Sequence, residues 1–210
     1  MSVANRILDE VFASVDGEFD GSVPFRNSMI NFGVVLFTLR KGFIAEFEAN
    51  LEEWPGASPE PKTMSEFWAL HPDAYAYCRK DPMEPRDALW QMIRFVSDHV
   101  GEKTAVFAGY PAPVDFAWMY CYLGACGLPD IYRWQAFDLK SYAMRHLLMP
   151  FRDTVKKQMP EHWFEWAKTR NWGLPHTGLS DARLQASIMI AAMCEAHAIP
   201  NPLLTEANAA

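Results

Sequence analysis

Along the first 50 residues the apolar positions come in short β-type runs separated by turn residues. Val11–Glu18 is rich in β-branched and aromatic residues, Met29–Leu39 is a long apolar run, and Phe43–Phe47 follows Arg40-Lys41-Gly42, which reads as a hairpin turn. Residues 54–62 hold three prolines and are expected as a loop. Thr63-Met64-Ser65-Glu66 has the form of a capping box opening a short helix, which Pro72 interrupts. Helical spacing then returns, with Leu89, Ile93 and Val96 on one face of Glu84–Val100. Thr104–Gly109 reads as a short buried strand and Val114–Ala125 as an apolar helix ended by Gly127 and Pro129. Gln135–Leu139 reads as a strand running into a helix that Pro150 stops, and Leu179–His197 as the last helix, beginning near Ser180 or Asp181. Three strands followed by strands alternating with helices predict an α/β fold, a mixed sheet with helices packed on it. Residues 1–200 are expected to form one domain and 201–210 a frayed tail.

Composition narrows the class. With 210 residues, half of them hydrophobic, the chain has enough apolar material for one sizeable core. The opening Met1–Glu10 is polar and lacks a signal-peptide pattern, and the longest apolar run, Ile188–Cys194, is too short to span a bilayer. Cys78, Cys121, Cys126 and Cys194 lie in apolar, helix-like stretches without a CxxC pair, so reduced core thiols in a cytoplasmic protein are expected rather than a zinc site.

The formal charge of −7 argues against a simple nucleic-acid coat or a polybasic membrane binder, but not against an enzyme acting on nucleic acid. Its distribution is uneven. Residues 133–170 carry 8 basic and 4 acidic side chains, while the segments on either side are acidic. Lys140, Arg145, Lys156 and Lys157 in that segment are the candidates for a phosphate-guiding face.

Three acidic elements can carry chemistry. Asp16 and Glu18 are two apart at the end of the first strand, so both project from one face, where like charges repel unless a cation joins them. Asp115 is the only charged residue between Ala105 and Leu128 and opens an apolar helix after the turn of residues 109–113. As an N-terminal helix acid it can simply serve the dipole, or it can aim over the sheet edge where ligands gather in open α/β layers. Asp181 starts the last helix, with His176 five residues earlier beside Pro175 and Gly178, a carboxylate for a metal with a histidine as general base.

Taken in this order, Asp16 and Glu18, then Asp115, then His176 with Asp181 resemble the DEDDh class of 3′–5′ exonucleases, which includes oligoribonuclease and ribonuclease T. The stretches Asp16-Gly17-Glu18-Phe19-Asp20-Gly21, Ser28-Met29-Ile30-Asn31-Phe32-Gly33 and Phe137-Asp138-Leu139-Lys140-Ser141-Tyr142-Ala143 are similar to a small, single-domain exoribonuclease-like branch of that class. Two positions depart from it: Val114 stands where Phe often precedes the second-motif Asp, and Phe19 where Thr or Met is usual.

The resemblance implies a ribonuclease-H-like fold, a five-stranded sheet with three antiparallel strands and then two parallel, flanked by helices. It implies hydrolysis of single-stranded nucleic acid, RNA before DNA, to nucleoside 5′-monophosphates, with two Mg²⁺ or Mn²⁺ ions held by Asp16, Glu18, Asp115 and Asp181. His176 is then the general base. Phe19, Met29, Phe116 and Lys140 are the candidates at the substrate, with ordinary core packing the favoured alternative for Met29 and Phe116, and Trp68 with the His71-Pro72 break is a candidate wall of its entrance. Asp138 is expected to be structural. Relatives of this class are often homodimers. The alternative is an inactive binding or scaffold module that keeps the fold.

Overall fold

The computed structural model describes residues 3–101 and 103–206. Its sheet is built from β1 (Phe12–Phe19), β2 (Met29–Thr38), β3 (Gly42–Asn50), β4 (Val106–Gly109) and β5 (Ala136–Asp138), in the spatial order β3-β2-β1-β4-β5. The first three strands pair antiparallel, β4 runs parallel to β1, and β5 parallel to β4, which is the mixed five-stranded sheet expected. In chain order the helices are α1 (Val3–Leu8), α2 (Pro61–Glu66), α3 (Pro72–Cys78), α4 (Pro85–Val100), α5 (Ala112–Ala125), α6 (Leu139–Leu147), α7 (Glu165–Lys168), α8 (Gly178–Ala196) and α9 (Pro202–Glu206). None of them is long and apolar enough to cross a membrane.

The two-residue period of the strands sorts the core into two layers. Ala13 and Val15 of β1 join Val34 and Leu36 of β2 under α4 and α5, with Leu89, Met92 and Trp118. Phe12 points the other way, stacking on Phe37 at 5.2 Å, and packs with Val35 and the Ala186–Ile190 stretch of α8. Ser14, Asp16 and Glu18 continue that second side, so they face α8. Ser14 Oγ donates to the Ala182 carbonyl of α8 at 2.9 Å.

Proline placement explains two differences from the sequence reading. Thr63–Glu66 is not a capping box but the body of α2, whose N-cap is Glu60. Pro61, with its preset φ and no N–H to satisfy, starts the helix two residues earlier, and Thr63 Oγ1 donates back to Glu60 Oε2 at 2.6 Å. Pro72 likewise begins α3 instead of only breaking a helix. The frayed tail is also corrected in part. Pro202–Glu206 is helical, and Leu203, 1% exposed, is inserted into the α8-side core beside the β2–β3 turn.

Candidate active site

The site lies at the C-terminal edge of β1, where β4 runs parallel and hands over to α5. Asp16 and Glu18 project toward α8, whose first turn carries Asp181. One oxygen from each of these three carboxylates lies within 4.8 Å of the other two. Asp115, in the first turn of α5, reaches the same strand edge, and its Oδ1 accepts the Gly17 N–H at 3.0 Å.

Two glycines let α8 come this close. The cross-strand partner of Asp16 is Gly33, and a Cβ at Gly33 would stand 2.2 Å from the Leu179 nitrogen. A Cβ at Gly178 would stand 2.4 Å from the Gly33 nitrogen, so the N-terminus of α8 touches β2 backbone to backbone. Buried Asn31 ties the contact: its Oδ1 accepts the Gly178 N–H at 2.6 Å, and its Nδ2 donates to Asn50 Oδ1 at 2.7 Å. Farther along α8, Gln185 Nε2 donates to the Val15 carbonyl at 2.8 Å. Asp181 is therefore positioned by β1 and β2 together.

The acids are held at a cost. Burial, then the negative charges of Asp115, Glu18 and Asp181, push the Asp16 carboxyl well above its usual range. Burial, with Asp181 and Asp115 nearby, raises Glu18 from 4.5 to about 8. Burial raises Asp115 from 3.8 to about 7, although the Gly17 N–H favours its ionised form. Lys156 is a cation that acts in the relieving direction on both Asp16 and Asp115.

His176 lies in the loop before α8 with φ +61°, in the left-handed region. Its Nδ1 is 4.0 Å from Asp181 Oδ2. The ring packs on His71 at 4.1 Å between centroids and edge-on against Phe67 at 5.1 Å. Burial lowers its pKa, Asp181 opposes this, and His71 and Lys156 add to it, which favours the neutral ring.

The expected substrate residues divide. Phe19 lies at the acidic edge, stacked on Trp118 at 4.4 Å, with its ring over Gly17. Met29 does not reach the site: it is 1% exposed within the α4–α5 core, and its N–H donates to Tyr122 Oη at 2.9 Å. Phe116 packs against that same core, edge-on to Phe107 at 5.1 Å. Lys140 lies over the Phe151 ring, its Nζ 4.6 Å from the centroid.

Trp68 is buried and is not an entrance wall. Its Nε1 donates to the Phe19 carbonyl at 2.9 Å and so props the Phe19 backbone from behind. Asp138 is structural as expected, capping α6 through the Ser141 N–H at 2.9 Å and accepting the Ala112 N–H at 3.1 Å. Asn31, Gly33 and the His71–Phe67 contact to His176 were missed. Only Gly33, isolated in a β-branched run, carries a local signal of close backbone approach.

The five-stranded mixed sheet with helices packed on it is a fold seen in solved exonucleases, and the carboxylates gather at its edge. No family model matches the chain. The 3′-5′ DNA exonuclease Cap18 of Escherichia coli is 28% identical over 181 residues, which cover 85% of this chain and 89% of that protein. The nuclease domain of 3′hExo, a DEDDh family member bound to rAMP, matches with a TM-score of 0.63 at 12% identity, over 90% of this chain and 94% of that one. S. pombe Pop2p in its Mg²⁺- and Mn²⁺-bound form matches with a TM-score of 0.61 at 16% identity, over 91% and 86%. At these identities the structural likeness establishes the fold.

Proposed function

We propose that this protein is a metal-dependent exonuclease that releases nucleoside 5′-monophosphates from the 3′ end of a single strand. The observation that carries the reading is the convergence of Asp16, Glu18 and Asp181 within 4.8 Å. Asp115 stands beside them, and His176 faces Asp181 from a loop.

The donor set fits Mg²⁺ or Mn²⁺, since all the ligands are hard carboxylate oxygens. Burial raises the pKa values of Glu18 and Asp115, with neighbouring acids adding to the Glu18 shift, and divalent cations beside them favour the ionised forms. Asp16, Glu18 and Asp181 would hold one ion, and Asp16 with Asp115 a second. Bound there, the ions supply charge stabilisation to the attacking and departing oxygens. The chain's own contribution is proton transfer and placement. His176, kept neutral by its surroundings, takes a proton from the attacking water, whose oxygen bonds to phosphorus as the bond to the 3′-oxygen breaks. Phe19 offers the terminal nucleotide a face against which to pack.

Resemblance to oligoribonuclease and ribonuclease T is the basis for expecting RNA, whereas the 28%-identical relative is named for DNA, so both sugars enter the test. The experiment incubates 5′-labelled single strands of DNA and of RNA with Mn²⁺, with Mg²⁺ and with chelator. A 3′-shortening ladder is expected in metal and none in chelator. Asp16→Ala should abolish it, and His176→Ala should slow it by roughly 10²- to 10⁴-fold. If neither strand is shortened in metal, or if both variants digest as fast as wild type, the reading fails and the inactive binding module takes its place.

A further inference from the structure

The four cations expected to guide phosphates do not share one place. Arg145 is in the last turn of α6, and Lys140, in its first turn, is engaged with Phe151. Lys156 and Lys157 instead lie on the single helical turn Lys156–Gln158. With Met159, Phe164 and Leu184 they line an open groove of about 470 Å³. Leu184 is three residues beyond Asp181 on α8, hence on the same side of the helix one turn on, so the groove runs away from the acidic cluster.

Two of the three lysines along this groove are not spent in ion pairs. Lys168 at its far side is paired with Glu161 at 2.6 Å, but among the described residues neither Lys156 nor Lys157 has a carboxylate in ion-pair range. Lys156 Nζ sits over the Tyr110 ring at 5.3 Å, and Tyr110 Oη donates to the Thr154 carbonyl at 3.1 Å, so the lysine has a fixed platform. Tyr110 lies between the end of β4 and the start of α5, the helix that carries Asp115, which places Lys156 beside the reacting edge.

We propose that this groove seats the strand immediately upstream of the scissile bond, with Lys156 and Lys157 each taking a phosphate while Phe164 and Leu184 lie against sugar and base. The proposal rests on the exonuclease reading of the acidic edge. Two unpaired cations over an apolar floor, in a chain that is acidic elsewhere, match a polyanion whose bases are exposed.

Two measurements test it together. Binding of a fluorescein-labelled single-stranded DNA 12-mer is followed by anisotropy in chelator, and cleavage of the same strand and of a dinucleotide is followed in Mn²⁺. The dinucleotide has the scissile phosphate and none upstream. For Lys156→Ala combined with Lys157→Ala, 12-mer affinity should fall about tenfold. The salt slope should flatten by about 1.4, from roughly 0.7 per single-strand phosphate contact. Cleavage of the 12-mer should suffer at least fivefold more than cleavage of the dinucleotide. The corresponding pair of Lys→Arg changes should restore the slope, and Lys41→Ala on the β2–β3 turn should not alter it. A double variant with the wild-type slope and affinity overturns the proposal, as does one that loses dinucleotide and 12-mer cleavage equally. Wild type that binds with this slope yet releases no nucleotide in Mn²⁺ refutes the exonuclease reading and leaves the groove as a strand-binding surface.

Discussion

Stripped of divalent ions, this protein should become less stable as pH rises from about 5 to 8. The cause is the burial of Asp16, Glu18 and Asp115 at one strand edge, to which the charges of neighbouring acids add for Asp16 and Glu18. Glu18 illustrates the sign: its usual pKa of 4.5 is raised to about 8 in the fold, so between those values the folded chain keeps a proton that the unfolded chain has released. Below pH 4.5 both states are protonated and nothing is lost; through the folded pKa near 8 the penalty becomes complete. Asp16 and Asp115 shift the same way. The lowered His176 pKa works oppositely, one group against three. Glu195, held at about 2 despite some burial by hydrogen bonds from His146, His162 and Trp163, loses its contribution only in strong acid, outside this window.

At about 1.4 kcal/mol per pKa unit, the Glu18 shift corresponds to roughly 4–5 kcal/mol. Part of the Asp16 and Glu18 shifts is repulsion from neighbouring acids, counted once per pair, so the individual shifts do not add, and this single figure stands for the cluster. For a chain of this size roughly 2–4 °C of Tm accompanies each kcal/mol, giving a fall on the order of 10 °C. The assay is thermal unfolding by circular dichroism at pH 5 and pH 8, with chelator and with millimolar Mn²⁺. Mn²⁺ should recover most of the loss at pH 8 and do little at pH 5, where it must displace protons. Glu18→Gln should raise the metal-free Tm at pH 8 and flatten the pH slope. A metal-free Tm that is level or rises over this range, or a Mn²⁺ shift equal at both pH values, refutes the reasoning.

Two substitutions test how the site is built. Gly33→Ala puts a methyl 2.2 Å from the Leu179 nitrogen, so α8 must lift; a loss of roughly 1–3 kcal/mol in urea unfolding and weaker Mn²⁺ binding are expected, whereas Gly124→Ala, with nothing within 4 Å of the added Cβ, should be neutral or stabilising. Wild-type stability in Gly33→Ala would contradict the backbone contact. Phe19→Ala should raise KM for a single strand by roughly tenfold with a smaller change in kcat, from lost stacking on the terminal nucleotide, and an effect confined to kcat would remove Phe19 from the binding face.

The strands and the long helices were legible because their signals are local. The β-branched and aromatic runs of β1 and β2, and the Leu89, Ile93 and Val96 face of α4, each reside in a few neighbouring residues. The order of the acids was legible for a different reason: charged groups in apolar surroundings need a partner, and their positions in the chain resemble a known class. Met29 shows the limit. It was a candidate to pack against the terminal nucleotide, but as the first residue of β2 it pairs with Phe19 across a register shift while its side chain enters the α4–α5 core. No local pattern states to which layer a half-apolar strand end commits.

The same limit explains the charge. A count of −7 describes the chain, but a strand meets only what lies within about a Debye length, roughly 8–10 Å in ordinary salt. Within that reach of the acidic edge, the separations that matter join residues distant in sequence: Asp16 with Asp181, Gly33 with Gly178, Lys156 with Tyr110. Only the fold divides the basic segment 133–170, sending Lys140 to Phe151 and leaving Lys156 and Lys157 without an ion pair among the described residues, beside Leu184 of α8. If divalent ions neutralise the four clustered acids, the field at the strand edge is set by those two lysines. For His176→Ala, which leaves the carboxylates in place while slowing cleavage, salt should then weaken 12-mer binding more steeply in Mn²⁺ than in chelator, because the metal-loaded edge adds the terminal phosphates to those already held in the groove.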